Sequence, residues 1–196
     1  MSPPSAVTTP LLTTERLVLR PLQLTDADAV QAVFPQWEIV RYLAAKVPWP
    51  YPADGALVFI RDGLLPAIER GTQWHWSIRP RALPGQLIGV IGLIDEGDDN
   101  RGFWLDPAWQ GQGLMTEAVA AVTGFWFDVL GKDVLRVPKA IANTASRRIS
   151  ERAGMRVVGT EPRDFVGGRL AAQMWEITRD EWRARRAEPG ARSDQL

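Results

Sequence analysis

The chain of 196 residues contains no cysteine and only one histidine. Without cysteine there is no disulfide, no zinc site built on thiolate and no cysteine nucleophile. A reducing, cytoplasmic setting is the expected compartment. An excess of one charge is also missing: 23 Lys and Arg balance 23 Asp and Glu, a formal net charge of zero. A nucleic-acid partner needs a concentrated basic face, so none is expected, although a local basic patch for a small anion remains compatible with the balance. No stretch reaches the ~18 consecutive apolar residues of a membrane span, so no membrane partner is expected. The opening MSPPSAVTTPLLTTERL has no basic segment followed by an apolar run, and no signal peptide is read there. Tyrosine is scarce, at two, against nine tryptophans. Those tryptophans imply large buried surfaces or a cleft with aromatic walls, and composition does not choose between the two.

What is present suits one well-cored domain: 45% hydrophobic and 23% charged residues are ordinary for a globular chain of this length. Residues 1–13, rich in Pro, Ser and Thr, are expected to be flexible. RLVLRPL (16–22) alternates as a strand, and TDADAVQAVF (25–34) reads as a helix capped by Thr25. EIVRYL continues at helical spacing, and VPWPYP (47–52) breaks it. Residues 53–71 place Leu57, Ile60, Leu64, Leu65 and Ile68 on one helical face, with Gly63 and Pro66 predicting a kink. QWHWSIRP (73–80), QLIGVIGLI (86–94) and RGFWLD (101–106) then read as an antiparallel meander. Leu114, Met115, Ala118, Val119, Val122, Phe125, Trp126 and Val129 mark a long amphipathic helix ending near Gly131. VLRVPKAIA (134–142) is a strand whose Pro138 hints at an edge or a bulge. NTASRRISERAG (143–154) is a capped helix, and MRVVGTE (155–161) and AQMWEIT (171–177) are strands of a last hairpin. RDEWRARRAEPGARSDQL is a short helix that gives way to a polar tail over 183–196. No linker divides the chain, and one domain is expected over 14–182.

DPAWQGQGLMTEA (106–118) places Gly111 and Gly113 directly ahead of the long helix. Such a turn has two readings. It is an ordinary glycine loop, or a cradle in which converging N–H groups and a helix N-terminus hold a phosphate. It is not a P-loop, since Leu114 and Met115 stand where Lys and Ser/Thr are needed. It is not a dinucleotide fingerprint either, since Thr116 occupies the third glycine position.

The order of strand, glycine loop, long helix, strand, Asn-Thr-Ala-Ser and helix resembles the acetyl-CoA-dependent N-acetyltransferase (GNAT) superfamily. TERLVLRPL (14–22), LIGVIGL (87–93), GFWLDPAWQGQGLMTEA (102–118) and NTASRRISERAGM (143–155) resemble its branch of ribosomal-protein alanine N-acetyltransferases. Met115 departs from the superfamily's Gly/Ala at that position, but Met-Thr-Glu there is usual in the branch. The resemblance spans about residues 14–180. It implies an α/β (α+β) single-domain fold with a mixed, mostly antiparallel sheet of about seven strands flanked by helices. The fourth and fifth strands, 101–106 and 134–142, are expected to splay apart.

The implied cofactor is acetyl-CoA, without a metal, and the implied acceptor is a primary amine. Gln110, Gly111, Gln112, Gly113, Leu114, Met115 and Thr116 are expected to hold the pyrophosphate. Backbone groups of Trp104 and Leu105 are expected to bind the pantetheine arm, and Asn143 to bond the arm or the thioester side. Many members place a tyrosine acid where this chain has Ser150. In the branch the serine three after Asn takes the role, here Ser146, whose other reading is a helix-cap residue. The branch often carries Glu where Asn100 stands, so the base is sought in Asp95 and Glu96, which also read as a solvated turn. His75 shares a strand face with Gln73 and Ser77, opposite Trp74 and Trp76, and is read as a base or as a structural residue. Trp37, Trp49 and Tyr51 are expected to line the acceptor cleft or to pack the helix pair.

Lack of a strong base favours acceptors of low pKa. An α-amine of pKa near 8 is about a tenth neutral at pH 7, whereas a lysine is neutral at only about one part in 2,500. A protein or peptide N-terminus is therefore the expected acceptor. The alternatives are a small amine, such as an antibiotic, amino sugar or amino acid, and a non-catalytic coenzyme-A-binding module. A monomer or homodimer is expected.

Overall fold

The computed structural model describes residues 7–187. Strands β1 (Leu12–Thr13), β2 (Leu17–Pro21), β3 (Gln73–Pro80), β4 (Gly89–Ile94) and β5 (Arg101–Leu105) form one antiparallel sheet in chain order. Strands β6 (Val134–Ala140), β7 (Arg156–Phe165) and β8 (Gly168–Thr178) form a second, with β8 in the middle. Helices α1 (Ala27–Val33), α2 (Trp37–Val40), α3 (Gly55–Val58) and α4 (Leu65–Glu69) lie between β2 and β3. Helix α5 (Leu114–Gly124) joins β5 to β6, α6 (Thr144–Arg152) joins β6 to β7, and α7 (Arg179–Ala187) follows β8. Among the described residues no helix is long and apolar enough to cross a membrane.

Strand alternation divides the core in two. Trp74, Trp76 and Ile78 of β3 face the buried side of α5, formed by Leu114, Met115, Ala118, Val119 and Val122. On the opposite face Leu87 and Val90 meet Val30, Phe34, Ile60 and Leu64 from the helices between β2 and β3. The central strand is thus covered on both faces.

Several local expectations change. The helix of 53–71 is interrupted by π-type turns over Phe59–Leu64, where the Leu65 N–H reaches back to the Ile60 carbonyl. Pro66 has no N–H to continue the regular ladder, and the wider turns absorb that loss. Ile60 and Leu64 are fully buried, while Leu57 faces outward. Thr25 does not cap the first helix: its turn begins at Gln23, whose N–H donates to Asp26 at 3.0 Å. The stretch at 7–13, expected to be flexible, contributes β1 and accepts indole N–H bonds from Trp74 at Val7 and from Trp76 at Pro10. Residues 1–6 and most of the polar tail lie outside the described residues. The last hairpin is longer than its expected strands, 156–165 and 168–178.

The short β1 adds an eighth strand, so the pair expected to splay is β5 and β6. At one end the two are pinned by a single residue, Asn100, through its backbone and its side chain. The Asn100 N–H donates to the Arg136 carbonyl at 2.8 Å, and the Arg136 N–H donates to Asn100 Oδ1 at 2.9 Å. Beyond that pin the strands belong to separate sheets. The reason is visible in the ladder. Ile141 and Asp133 bond the β8 side, so by antiparallel alternation Arg136, Pro138 and Ala140 turn their backbones toward β5. Pro138 has no N–H to offer across the gap, and the Ala140 carbonyl is taken by the Asn143 N–H. The edge suggested by Pro138 is the edge facing this opening.

Candidate functional site

The opening between β5 and β6 is a cleft of about 530 Å³, reaching from the glycine turn to the end of the β7–β8 hairpin. Its walls come from β5, β6, the start of α5, α6 and residues 38–44. Residues 41–45 hydrogen-bond with 164–167, joining the first half of the chain to the hairpin across that end.

At the other end Gly111 and Gly113 both take φ of 77°, the left-handed region where glycine is favoured. These two turns leave six successive backbone N–H groups, from Gly111 through Thr116, with no acceptor among the described residues. Nothing stands within 4 Å of the Cβ position of Gly111, so the space beside that residue is open. Three of them are the first-turn donors that every helix leaves unpaired, and the helix dipole adds partial positive charge. Glu117 fixes the turn from behind by accepting from the Thr14 hydroxyl, the Arg16 N–H and the Arg16 guanidinium. Burial opposes its ionised form, yet those bonds hold its carboxyl below the ordinary value. A pyrophosphate fits this cradle.

Gln110, Gly111, Gly113, Leu114, Met115, Thr116, Asn143, Ser146, Trp104 and Leu105 all line the cleft. Gln112 does not: its carbonyl accepts from Arg16 at 2.9 Å on the outer side of the turn. For Trp104 the structure corrects the backbone role. The Asp106 N–H bonds Ile88, so alternation gives the Trp104 backbone to β4 and turns that of Phe103 and Leu105 into the gap. The Leu105 carbonyl already accepts from the Gln110 amide at 2.9 Å, which leaves its N–H and the Phe103 groups to meet a ligand.

Asn143 caps α6, its Oδ1 accepting from the Ser146 N–H at 3.1 Å. Ser146 Oγ accepts a bond of 2.7 Å from the Lys139 ammonium. Lys139 is only 6% exposed, and its Nζ stands 4.8 Å over the Phe103 ring. Burial, reinforced by Arg101 and partly offset by Asp99, lowers its pKa to about 7. Arg101, at the floor of the cleft, is pushed down to about 10 by burial. Ser150, at the position of the absent tyrosine, is fully buried, and its hydroxyl has no partner among the described residues.

Asp95 and Glu96 are not among the cleft residues, and the Asp95 carboxylate is paired with Lys132 at 2.5 Å. The carboxylates that do line the cleft are Glu38, Asp99 and Asp164. Burial raises the Asp99 pKa against the pull of Lys139, Lys46 and Arg163. Asp99 escaped the sequence reading because a turn DEGDDN offers four acids and no periodicity to say which one faces inward. Lys139 escaped it because a lysine next to a strand proline carries no motif.

His75 is buried, and its Nε2–H donates to the Gln73 amide oxygen at 3.0 Å. Burial, with Lys46 adding repulsion, lowers its pKa to about 3, so it is neutral and structural at pH 7. Trp37, Trp49 and Tyr51 do not line the cleft. Trp37 and Trp49 stack on the surface with centroids 5.6 Å apart, and Tyr51 packs edge-on against Phe34.

Comparison with known proteins bears on what such a cleft holds. A family model described as acetyltransferase (GNAT) domain matches residues 16–156. An uncharacterized N-acetyltransferase, YoaA, of Bacillus subtilis (strain 168) is 27% identical over 155 residues, covering 76% of this chain and 85% of that protein. The ribosomal-protein-S5-alanine acetyltransferase of Vibrio fischeri superposes with a TM-score of 0.75 at 14% identity, over 88% of this chain and 98% of that one. RimL, a ribosomal L7/L12 alpha-N-protein acetyltransferase in complex with coenzyme A, superposes with a TM-score of 0.72 at 17% identity, over 87% and 97%.

Proposed function

Because the chain belongs to the acetyltransferase (GNAT) family and is an N-acetyltransferase, we propose that it acetylates a protein or peptide N-terminal α-amine, taking the acetyl group from acetyl-CoA by direct attack in a ternary complex. The observation that carries this reading is the continuity of one cleft. The unbonded N–H groups of Gly111 and of Gly113 to Thr116 stand at one end, and Ser146 stands along the wall. Three carboxylates line the same space.

When bound, acetyl-CoA supplies an activated acyl carbon with a thiol leaving group. The run from Gly111 to Thr116 would hold its pyrophosphate, and Phe103 and Leu105 would bond the amides of its arm as a further strand bonds a sheet edge. Arg148 and Arg152 of α6 add positive charge to the lining. Glu38, Asp99 and Asp164 draw an ammonium acceptor into the cleft, and Asp99 is the group assigned to receive its proton. A carboxyl raised from its ordinary value is the better base, but it remains too weak to serve a lysine as well as it serves an α-amine. The structural neighbour named as a ribosomal L7/L12 alpha-N-protein acetyltransferase supports the same acceptor.

The test is thiol release from acetyl-CoA across three acceptor sets, with mass spectrometry locating the acetyl group. The sets are lysine-free peptides with free N-termini, lysine peptides with blocked N-termini, and small amines including amino sugars and amino acids. We expect turnover on free N-termini, with the label on the α-nitrogen. Transfer confined to small amines would replace the acceptor, and coenzyme binding without transfer to any amine would leave a binding module.

A further inference from the structure

Lys139 is a buried cation without a counter-anion. Its polar partner is the Ser146 hydroxyl, and no carboxylate comes within 4.0 Å among the described residues. A lysine held this way costs stability that a valine or leucine on the same strand face would not, since Leu135 and Val137 complete that face as core. The groups facing it are Arg101 and Phe103 from β5, Asp99 from the turn before it and Ser146 from α6. Arg163 and Lys46 act one step further out, on Asp99. The hydroxyl that receives the Lys139 bond keeps its own hydrogen free to donate into the cleft. Ser150, where the family tyrosine would stand, is too short to reach out and has no partner among the described residues.

On the reading of this cleft as an acetyl-transfer site, we propose that Lys139 is the proton source for the departing thiol, working through Ser146 in place of the absent tyrosine. The acceptor nitrogen gives its lone pair to the acyl carbon, and the C–N bond forms as the C–S bond breaks. Ser146 passes its hydroxyl proton to the sulfur and is refilled from the Lys139 ammonium. Lys139 regains a proton from solvent, and the proton shed by the acceptor nitrogen leaves by way of Asp99. The depressed pKa suits this direction. A lysine near its ordinary value is a weaker acid than a thiol of pKa ~8.5 and would withhold the proton, whereas one at about 7 gives it up.

The experiment compares the wild-type protein with Lys139→Met and Lys139→Arg, each checked for folding by thermal melting. Three quantities are read: coenzyme A affinity, kcat against pH with a peptide acceptor, and the pH at which the thiol of bound coenzyme A ionises, followed by thiolate absorbance. Both variants should bind coenzyme A within about threefold of wild type and lose at least about tenfold in kcat. The alkaline decline of kcat set by Lys139 should vanish in both. The bound thiol should ionise at lower pH in Lys139→Arg than in Lys139→Met, because a nearby cation favours thiolate, while in wild type, whose lysine has already lost its proton at that pH, it should ionise as in Lys139→Met. Arginine keeps the charge but does not release a proton at neutral pH, so its failure to rescue kcat separates proton supply from charge. Full kcat in folded Lys139→Met, or rescue by arginine, would overturn the proposal. So would equal thiol ionisation in Lys139→Arg and Lys139→Met, a result that needs no acceptor, since a side chain at 139 would then not act on the sulfur. If wild type transfers to no amine while the bound thiol still ionises at lower pH in Lys139→Arg than in Lys139→Met, the reading of the acceptor reaction fails and the placement of Lys139 beside the thiol stands.

Discussion

His75 lies against Gly92 so closely that a Cβ on that glycine would overlap the imidazole. Its environment excludes the charged form, and this has a defined effect on stability. The folded pKa is about 3, below the ordinary 6.5, so below pH 6.5 the unfolded chain takes up a proton that the folded one refuses. Stability should therefore fall as pH drops from 6.5, with a slope approaching ~1.4 kcal/mol per pH unit from this residue alone. Urea melts of wild type and His75→Gln between about pH 7 and about pH 5 should differ in that slope, and parallel curves would contradict the assignment. The strand alternation made this residue's face legible, opposite Trp74 and Trp76, but not its neighbours. Ser146 shows the same division. Its two sequence readings, cap residue and reacting hydroxyl, use different atoms: the N–H meets Asn143 and the Oγ meets Lys139.

At the scale of elements, the glycine turn and α5 form one unit. The helix periodicity was legible as far as Trp126, and the buried positions at 114, 115, 118, 119 and 122 follow it, but Val129, which spacing puts on the same face, is exposed. What spacing alone did not show is the anchoring of the turn. Glu117 in the first turn of α5 ties it to the start of β2, a contact between residues 101 apart. Periodicity also misses departures from it, such as the π-type turns before Pro66 and again at Phe125–Val129, the second of which buries Phe127 and turns Val129 outward. If the open N–H groups bind phosphate, a large side chain among them blocks the ligand more than it harms the fold. Gly113 has φ of 77°, and its nearest outside atom, Arg16 Nη2, is 3.5 Å from the Cβ position. Gly113→Trp should still fold, with a moderate strain cost of about 1–2 kcal/mol. Its coenzyme A Kd should rise at least about tenfold, or about 1.4 kcal/mol. Isothermal titration on the folded variant checks this, and an unchanged Kd would remove the turn from the binding site.

For the whole molecule, the decisive feature is two sheets that meet at Asn100 and then separate. While β1 fell in a stretch expected to be flexible, the strands after it were legible one by one. Their separation was not, because it depends on which backbone groups of β5 and β6 face one another. The proline at 138 was visible, but its meaning depended on the register that turns it toward the gap. The resemblance supplied the splay, and the ladder supplies its physical cause. The expected base at Asp95 or Glu96 fell outside the cleft for a similar reason. The turn ends at the Asn100 pin, so only its last acid, Asp99, enters the lining. The account rests on one geometric claim, that this gap receives acetyl-CoA. A crystal structure with coenzyme A bound tests it most directly. It should show the pyrophosphate on the N–H groups of Gly111 to Thr116 and the arm between β5 and β6, with the sulfur beside Ser146. Coenzyme A bound on another face, or β5 and β6 zipped together with the ligand outside them, would contradict the account.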